Sequence, residues 1–147
     1  MTGYSVESEA VLRSAGWWPD RQVDTGGWVE PLERNGARLH EAAQIFLGEF
    51  GGLVIDISGS GVNRAREPFE INPLRCLGEE ERFQEWGDEL GRTIFPIGIL
   101  DKGRYFLGID EQGEIYLVEA WVGSFGRMPQ AMENLISGVQ PEIVSEG

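Results

Sequence analysis

Carboxylates are the most numerous side chains in this sequence that could act in catalysis. The sequence of 147 residues holds 25 acidic residues, 12 basic residues, one cysteine and one histidine. Two carboxylates can act together as general acid and nucleophile or base, and Asp110 with Glu119 is one pair that a glycosidase-like site could use. Acidic residues in turns and at strand edges of so acidic a protein are usually solvated, so this catalytic interpretation is the weaker one.

The other ingredients of a catalytic or metal site are missing from the sequence. Cys76 has no evident histidine partner, and no serine lies in a Gly-x-Ser-x-Gly elbow. His40 has no second histidine, cysteine or carboxylate at metal-ligand spacing, so it is predicted to be a surface histidine. Gly59-Ser60-Gly61 is not followed by Gly-Lys-Ser/Thr and is predicted to be loop. The sequence therefore predicts a binding protein and not an enzyme, with no cofactor and no metal.

The net charge of −13 restricts the class of partner. Residues 1–76 hold 11 acidic and 7 basic residues, a net charge of −4, whereas residues 77–147 hold 14 and 5, a net charge of −9. Such a field repels phosphate backbones and anionic membranes, so neither nucleic acid nor a membrane is an expected partner. A basic protein partner and simple solubility explain the charge equally well.

The acidic C-terminal half contains the predicted partner-binding region, around residues 78–91 and the turn at residues 110–113. Acidic residues in the first turn of a helix also suit the positive end of its dipole, but Glu85, Asp88 and Glu89 exceed that local need. The candidate residues are Glu80, Glu81, Glu85, Asp88, Glu89, Asp110 and Glu111. The other regions considered for an interface are the loop at residues 58–68 and the free face of the sheet.

Length and cysteine content predict one cytoplasmic domain, residues 1–147. A chain of this length can bury about 68% of the surface that its unfolded form exposes. A single cysteine allows no internal disulfide. The first ten residues lack a basic segment followed by an apolar one, and no window approaches the roughly 20 apolar residues of a membrane span.

Three apolar runs separated by short polar turns predict the centre of the fold. They cover residues 94–100, 105–109 and 115–122, and Asp101-Lys102-Gly103 and residues 110–113 connect them. Aspartate at the start and glycine at the end of each connection suit hairpin turns. We therefore predict a three-strand antiparallel meander, and for the whole chain an α+β fold with a central, mainly antiparallel sheet flanked by helices.

Helical spacing and capping residues predict five helices around this sheet. They lie near residues 5–15, 24–36, 39–50, 78–91 and 129–138. Residues 53–57 and 69–71 are predicted to pair as strands, residues 123–126 to form a loop, and the tail past Val139 to be loose. Trp17 and Trp18 are predicted to be structural. The predicted core residues are Phe46, Leu47, Phe50, Val54, Phe83, Trp86, Ile97, Leu107, Ile115, Leu117 and Leu135.

A series of short motifs along the chain carries a family resemblance. The motifs are Ala15-Gly16-Trp17 with Pro19 and Arg21; Ala43, Phe46-Leu47 and Glu49-Phe50-Gly51-Gly52-Leu53; Gly91-Arg92 with Pro96-Ile97-Gly98; and Leu107-Gly108-Ile109-Asp110 with Gly113-Glu114-Ile115-Tyr116 and Trp121. In this order and spacing they resemble the SUKH superfamily of bacterial immunity proteins, most closely its third family. The resemblance covers nearly the whole chain.

The resemblance implies both a fold and a function. The implied fold, one α+β domain with a helix-flanked antiparallel sheet, agrees with the independent prediction. The implied function is that of an immunity protein, encoded beside a polymorphic toxin, that binds the toxin's catalytic domain. Toxins paired with this superfamily are often nucleases or nucleic-acid deaminases, which need basic surfaces. The matched motif residues are predicted to be structural. The family is diverse, so no toxin-contact residue is carried over to this chain, and the interface candidates rest on charge alone. The alternative function is a scaffolding or regulatory protein-binding module of the same fold.

Overall fold

A computed structural model describes residues 3–147 and contains one sheet. Its strands hydrogen-bond in chain order and every neighbouring pair is antiparallel, so the sheet is a continuous meander. Within the described residues the strands are β1 (Val54–Ile55), β2 (Phe69–Glu70), β3 (Phe95–Leu100), β4 (Tyr105–Ile109), β5 (Glu114–Val118), β6 (Val122–Arg127) and β7 (Glu142–Ser145).

Five α-helices accompany the sheet, as predicted from the sequence. In residues 3–147 they are α1 (Val6–Ser14), α2 (Gly26–Arg34), α3 (Glu41–Phe50), α4 (Glu80–Leu90) and α5 (Gln130–Ser137), with a short 3₁₀ helix at Pro73–Cys76. Helices and an antiparallel sheet in one structure confirm the predicted α+β fold. The predicted meander is the centre of a longer one.

Helices α3 and α4 lie on opposite faces of the sheet. Phe83 of α4 packs edge-on against Phe106 of β4, with ring centroids 6.2 Å apart. Successive side chains of a strand point to opposite faces. Ile109, three residues after Phe106, therefore points away from α4, and it lines a groove together with Phe46 of α3.

The predictions for residues 115–147 were wrong in three places. Strand β5 ends at Val118 and not at Val122, strand β6 runs through the predicted loop at residues 123–126, and β7 forms in the tail predicted to be loose. Gly123 in β6 serves close packing and not a turn. A Cβ at Gly123 would lie 3.0 Å from the Cβ of Pro141, so the segment before β7 packs directly on the β6 backbone.

Two predicted core residues are not fully buried, whereas the other nine are. Val54 is 58% exposed, whereas Leu53, the residue before β1, and Ile55 are buried. Trp86 is only half-buried, and its Nε1 donates to the Glu119 carbonyl at 2.9 Å. For residues 53–57 the predicted alternation was wrong by one residue, because Val54 was predicted to point into the core and its two neighbours do so instead.

The two adjacent tryptophans that follow α1 differ in burial and in their contacts. Trp17 is buried and its Nε1 donates to the Glu49 carboxylate at 2.9 Å, while Trp18 is 51% exposed. The structural role predicted for both tryptophans therefore fits the burial of Trp17 alone.

His40 is half-buried and not a surface histidine. Its Nδ1 accepts from the Ala43 backbone at 3.1 Å and so caps α3, which leaves Nε2 to donate to the Ile109 carbonyl at 3.1 Å.

Helices α1 and α5 are joined by one carboxylate. Glu133 accepts hydrogen bonds from Ser5 N at 2.7 Å, Ser8 Oγ at 2.5 Å and Ser137 Oγ at 2.7 Å. Burial alone would raise the pKa of Glu133, but the hydrogen bonds from Ser8, Ser5 and Ser137 outweigh it and lower the pKa.

We predict that Phe46→Ala lowers the free energy of unfolding by about 3–5 kcal/mol, because Phe46 is 4% exposed and its loss leaves a cavity beside Phe50. Its neighbour Ile45 is 62% exposed, so Ile45→Ala is the matched control and should change stability by less than about 0.5 kcal/mol. Urea denaturation measures both. Equal losses in the two variants would show that the inward face of α3 is assigned wrongly.

We also predict a pH-dependent contribution from Glu133. Because its folded-state pKa lies below that of the unfolded chain, its stabilisation is complete above the unfolded value of about 4.3 and is lost as pH falls through the folded value. Glu133→Gln should therefore be less stable than the parent at pH 7, and the two unfolding curves should converge in acid. A difference that stays constant from pH 7 to pH 3 would contradict this.

Candidate protein-binding surface

The residues first considered for chemistry are engaged in structural contacts. Cys76 is buried, its thiol donates to the Gly98 carbonyl at 3.3 Å, and burial raises its pKa to about 12, so the reactive thiolate is scarce at neutral pH. Glu119 accepts from Arg82 at 2.7 Å. Among residues 3–147, no group of three or more His, Cys, Asp or Glu side chains could hold a metal ion.

Asp110 is completely buried at the start of the β4–β5 turn. Its carboxylate accepts from the backbone of Gln112 at 2.8 Å, the backbone of Glu114 at 3.0 Å and the hydroxyl of Tyr116 at 2.8 Å. Arg92 Nε lies 3.8 Å away. Burial, together with the hydrogen bond to Asp110, raises the pKa of Tyr116, so the hydroxyl keeps its proton. Asp110 closes the turn and is not presented to a partner.

Glu80 is also buried, at 4% exposure, although it lies in the first turn of α4. One carboxylate oxygen accepts from the backbone of Gly78 at 3.0 Å and the other from Asn35 Nδ2 at 3.2 Å. These bonds tie the beginning of α4 to the residue that follows α2. Of the predicted contact residues, Glu80 and Asp110 are thus buried, with their oxygens hydrogen-bonded inside the fold, and the exposed candidates are the ones that a partner can reach directly.

The other four candidates on α4 are exposed and form what we call the α4 acidic surface, defined as Glu81, Glu85, Asp88 and Glu89. None of the four forms an ion pair with any side chain in the described part of the chain. Glu89 accepts from Ser145 Oγ of β7 at 2.6 Å, so this surface continues to the edge of the sheet. Its negative charge is not neutralised locally.

Glu111 is exposed at the tip of the β4–β5 turn. Its two carboxylate oxygens accept from Thr93 N at 3.0 and 3.1 Å, which attaches the turn to the segment that follows α4. Burial acts to raise the pKa of Glu111, but the backbone hydrogen bonds of Glu111 and Thr93 prevail and lower it. Glu111 thus stays ionised over the physiological range.

Two exposed isoleucines were not predicted from the sequence. Ile45 on α3 is 62% exposed and Ile143 on β7 is 55% exposed. The exposure of Ile45 could have been predicted, because Ile45 falls among Glu41, Gln44 and Glu49 on the polar side of an amphipathic helix. An isoleucine at such a position gains nothing from the protein's own core.

We predict that Asp110→Ala lowers the free energy of unfolding by about 3–5 kcal/mol, since it leaves two backbone N–H groups and the Tyr116 hydroxyl without their acceptor. Glu111→Ala, one residue further along the same turn but exposed, is the control and should cost less than about 1 kcal/mol. Chemical denaturation distinguishes the two. A mild effect of Asp110→Ala would mean that the turn does not depend on this carboxylate.

Comparison with known proteins gives one finding and two negative results. The family model described as SUKH-3 immunity protein matches residues 4–138. Neither the search of curated proteins nor the search of solved structures found a match. In the part of the chain that the structure describes, helices are too short or too polar to cross a bilayer.

Proposed function

This chain belongs to the SUKH-3 immunity protein family, and we propose that it binds the catalytic domain of a cognate toxin in the cytoplasm and covers that domain's basic surface. A nuclease or nucleic-acid deaminase holds its substrate through lysine and arginine side chains. The observation that carries the proposal is the α4 acidic surface, whose four exposed carboxylates have no ion-pair partner among the described residues.

The spacing of these carboxylates supports binding to a cationic surface. Glu85 lies four residues after Glu81, and Asp88 lies three residues after Glu85. Residues at these spacings are on one side of a helix, and Glu89 lies beside them. At 1.5 Å rise per residue the row from Glu81 to Glu89 is about 12 Å long. A row of fixed negative charges of this length can meet several basic side chains that otherwise contact phosphates.

Charge of this kind acts mainly on the rate of encounter. A net charge of −13 attracts a basic domain from a distance, and oppositely charged surfaces raise association rates by orders of magnitude at low salt. A catalytic step in the chain itself is not needed for protection, because occupying the substrate-binding surface is sufficient to stop the toxin. A constitutive partner without toxicity would instead identify a scaffolding module.

We predict that reversing Glu85, Asp88 and Glu89 together to lysine slows association with the toxin domain by about 10-fold or more at low ionic strength. The difference from the parent should shrink as salt is added, since screening weakens interactions between exposed charges. Stopped-flow or surface-based kinetics over a range of salt concentrations measures both effects. Circular dichroism should show an unchanged fold, because the three side chains are exposed.

The control is a triple reversal of Glu7, Glu30 and Asp56, three exposed acidic residues that lie outside α4. It changes the net charge by the same amount and should slow association less. Equal slowing by both triples would show that net charge matters and position does not. An α4 triple that binds at the parental rate at every salt concentration, and still protects growing cells from the toxin, would show that these acids serve solubility alone.

A further inference from the structure

A second acidic feature lies on the other face of the sheet, between α3 and the β4–β5 turn. It is a groove of about 540 Å³. Apolar side chains line it, among them Ile45, Ile109 and Met128, and three carboxylates belong to its lining, Glu41 and Glu49 from α3 and Glu111 from the turn. None of the lining residues is basic. A groove that is apolar and acidic at once is suited to an occupant that is apolar and cationic.

The chain neutralises the three carboxylates of this groove only in part, since Glu49 interacts electrostatically with Arg21, whose guanidinium donates to the Glu49 carbonyl at 2.6 Å. None of them forms an ion pair with a side chain of residues 3–147. Glu49 accepts from Trp17 Nε1 at 2.9 Å and Glu111 accepts from Thr93 N. These donors are uncharged, so they hold the carboxylates in place and leave their charge available to a partner.

The surface of α3 beside the groove favours close approach by another chain. Ile45 is 62% exposed, and Gly48, one turn later, lies on the same side of the helix. A Cβ at Gly48 would meet no atom within 4 Å, and its φ is not positive, so nothing in the fold requires glycine there. Glycine in a helix interior is less favourable than alanine. Gly48 is half-buried and its carbonyl accepts from Val23 N at 2.9 Å, but the open space where a Cβ would lie leaves room for a partner next to the exposed isoleucine.

We propose that this groove receives an apolar side chain of the toxin that is flanked by lysine or arginine, an inference that rests on the neutralising function proposed above. The apolar side chain packs on Ile45 and the groove floor, while the flanking cations pair with Glu41, Glu49 and Glu111. Interfaces owe most of their affinity to a few well-packed anchors, whereas charged surroundings mainly set the encounter rate. The α4 acidic surface steers the toxin, and the groove slows its departure.

The groove and the α4 acidic surface can serve one partner because Glu111 borders both regions. Glu111 lines the groove, and its carboxylate accepts from Thr93 N. Thr93 lines a second cleft together with Asp88 of α4. A toxin domain seated over the β4–β5 turn therefore reaches carboxylates from α3 and from α4.

The chemistry of the groove is tested on the full chain without any toxin. Acetyl-Lys-Phe-Lys-amide is titrated into the labelled protein and followed by NMR, with acetyl-Lys-Ser-Lys-amide and acetyl-Glu-Phe-Glu-amide as matched probes. We expect saturable shifts of α3 and β4–β5 turn resonances with Lys-Phe-Lys, and binding at least 5-fold weaker with the other two peptides. Shifts located elsewhere, or equal binding of all three peptides, would overturn the proposal.

The toxin domain then tests the anchoring step. Ile45→Glu adds a negative charge, which favours steering, but removes the apolar contact, so dissociation should be about 10-fold faster at every salt concentration. Gly48→Gln should also weaken binding while the fold stays at least as stable as the parent. Val6→Glu, at an 89% exposed apolar position of α1, is the control and should bind as the parent does.

The outcomes separate this inference from the function on which it rests. Toxin binding by Ile45→Glu that is as tight as or tighter than that of the parent would overturn the anchoring role of the groove. A parent chain that binds Lys-Phe-Lys in the groove but binds and inhibits no toxin would overturn the proposed function and keep the chemistry of the groove.

Discussion

The contact of α4 with the sheet is the constraint on which the acidic face of the molecule depends. A Cβ at Gly108 of β4 would lie 2.9 Å from the Phe83 ring and 2.5 Å from Ile94, so only glycine lets the helix approach this closely. Gly87, on the same side of α4, has the Arg92 carbonyl 2.6 Å from the position of a Cβ. With Phe83 and Gly87 on the inward side of the helix, the four carboxylates of the α4 acidic surface are exposed to solvent. Apolar burial between α4 and the sheet offsets their mutual repulsion.

The helices and the central strands could be predicted because their apolar residues recur at a clear period. The period of 3.6 residues in α3 and the uninterrupted apolar runs of β3 and β4 need no knowledge of their neighbours. Strands β6 and β7 could not be predicted in this way. Gly123 and Gly126 suggest a turn, and only the packing of Pro141 on Gly123 explains why the chain stays extended there. Pairing with a neighbouring strand determines that β6 and β7 are extended, and this pairing cannot be read from the local sequence.

The acidic character of the candidate surface could be predicted, whereas the burial of individual carboxylates could not. Glu80 and Glu81 are adjacent glutamates in one helical turn, yet the first is bonded to Gly78 and Asn35 and the second is exposed. Asp110 was recognised as a turn residue, but its bond to the Tyr116 hydroxyl depends on the pairing of β4 with β5. Charge is a property of the sequence, and exposure is a property of the fold.

Membership of the SUKH-3 immunity protein family and an unneutralised acidic face together make occlusion of a basic toxin surface the central claim. Competition between the chain and nucleic acid tests it most directly. A catalytically inactive toxin domain is loaded with a fluorescent oligonucleotide, and the chain is added while anisotropy is followed. Occlusion predicts one-for-one displacement of the oligonucleotide, so that no ternary complex forms. A stable complex of toxin, oligonucleotide and this chain would contradict it.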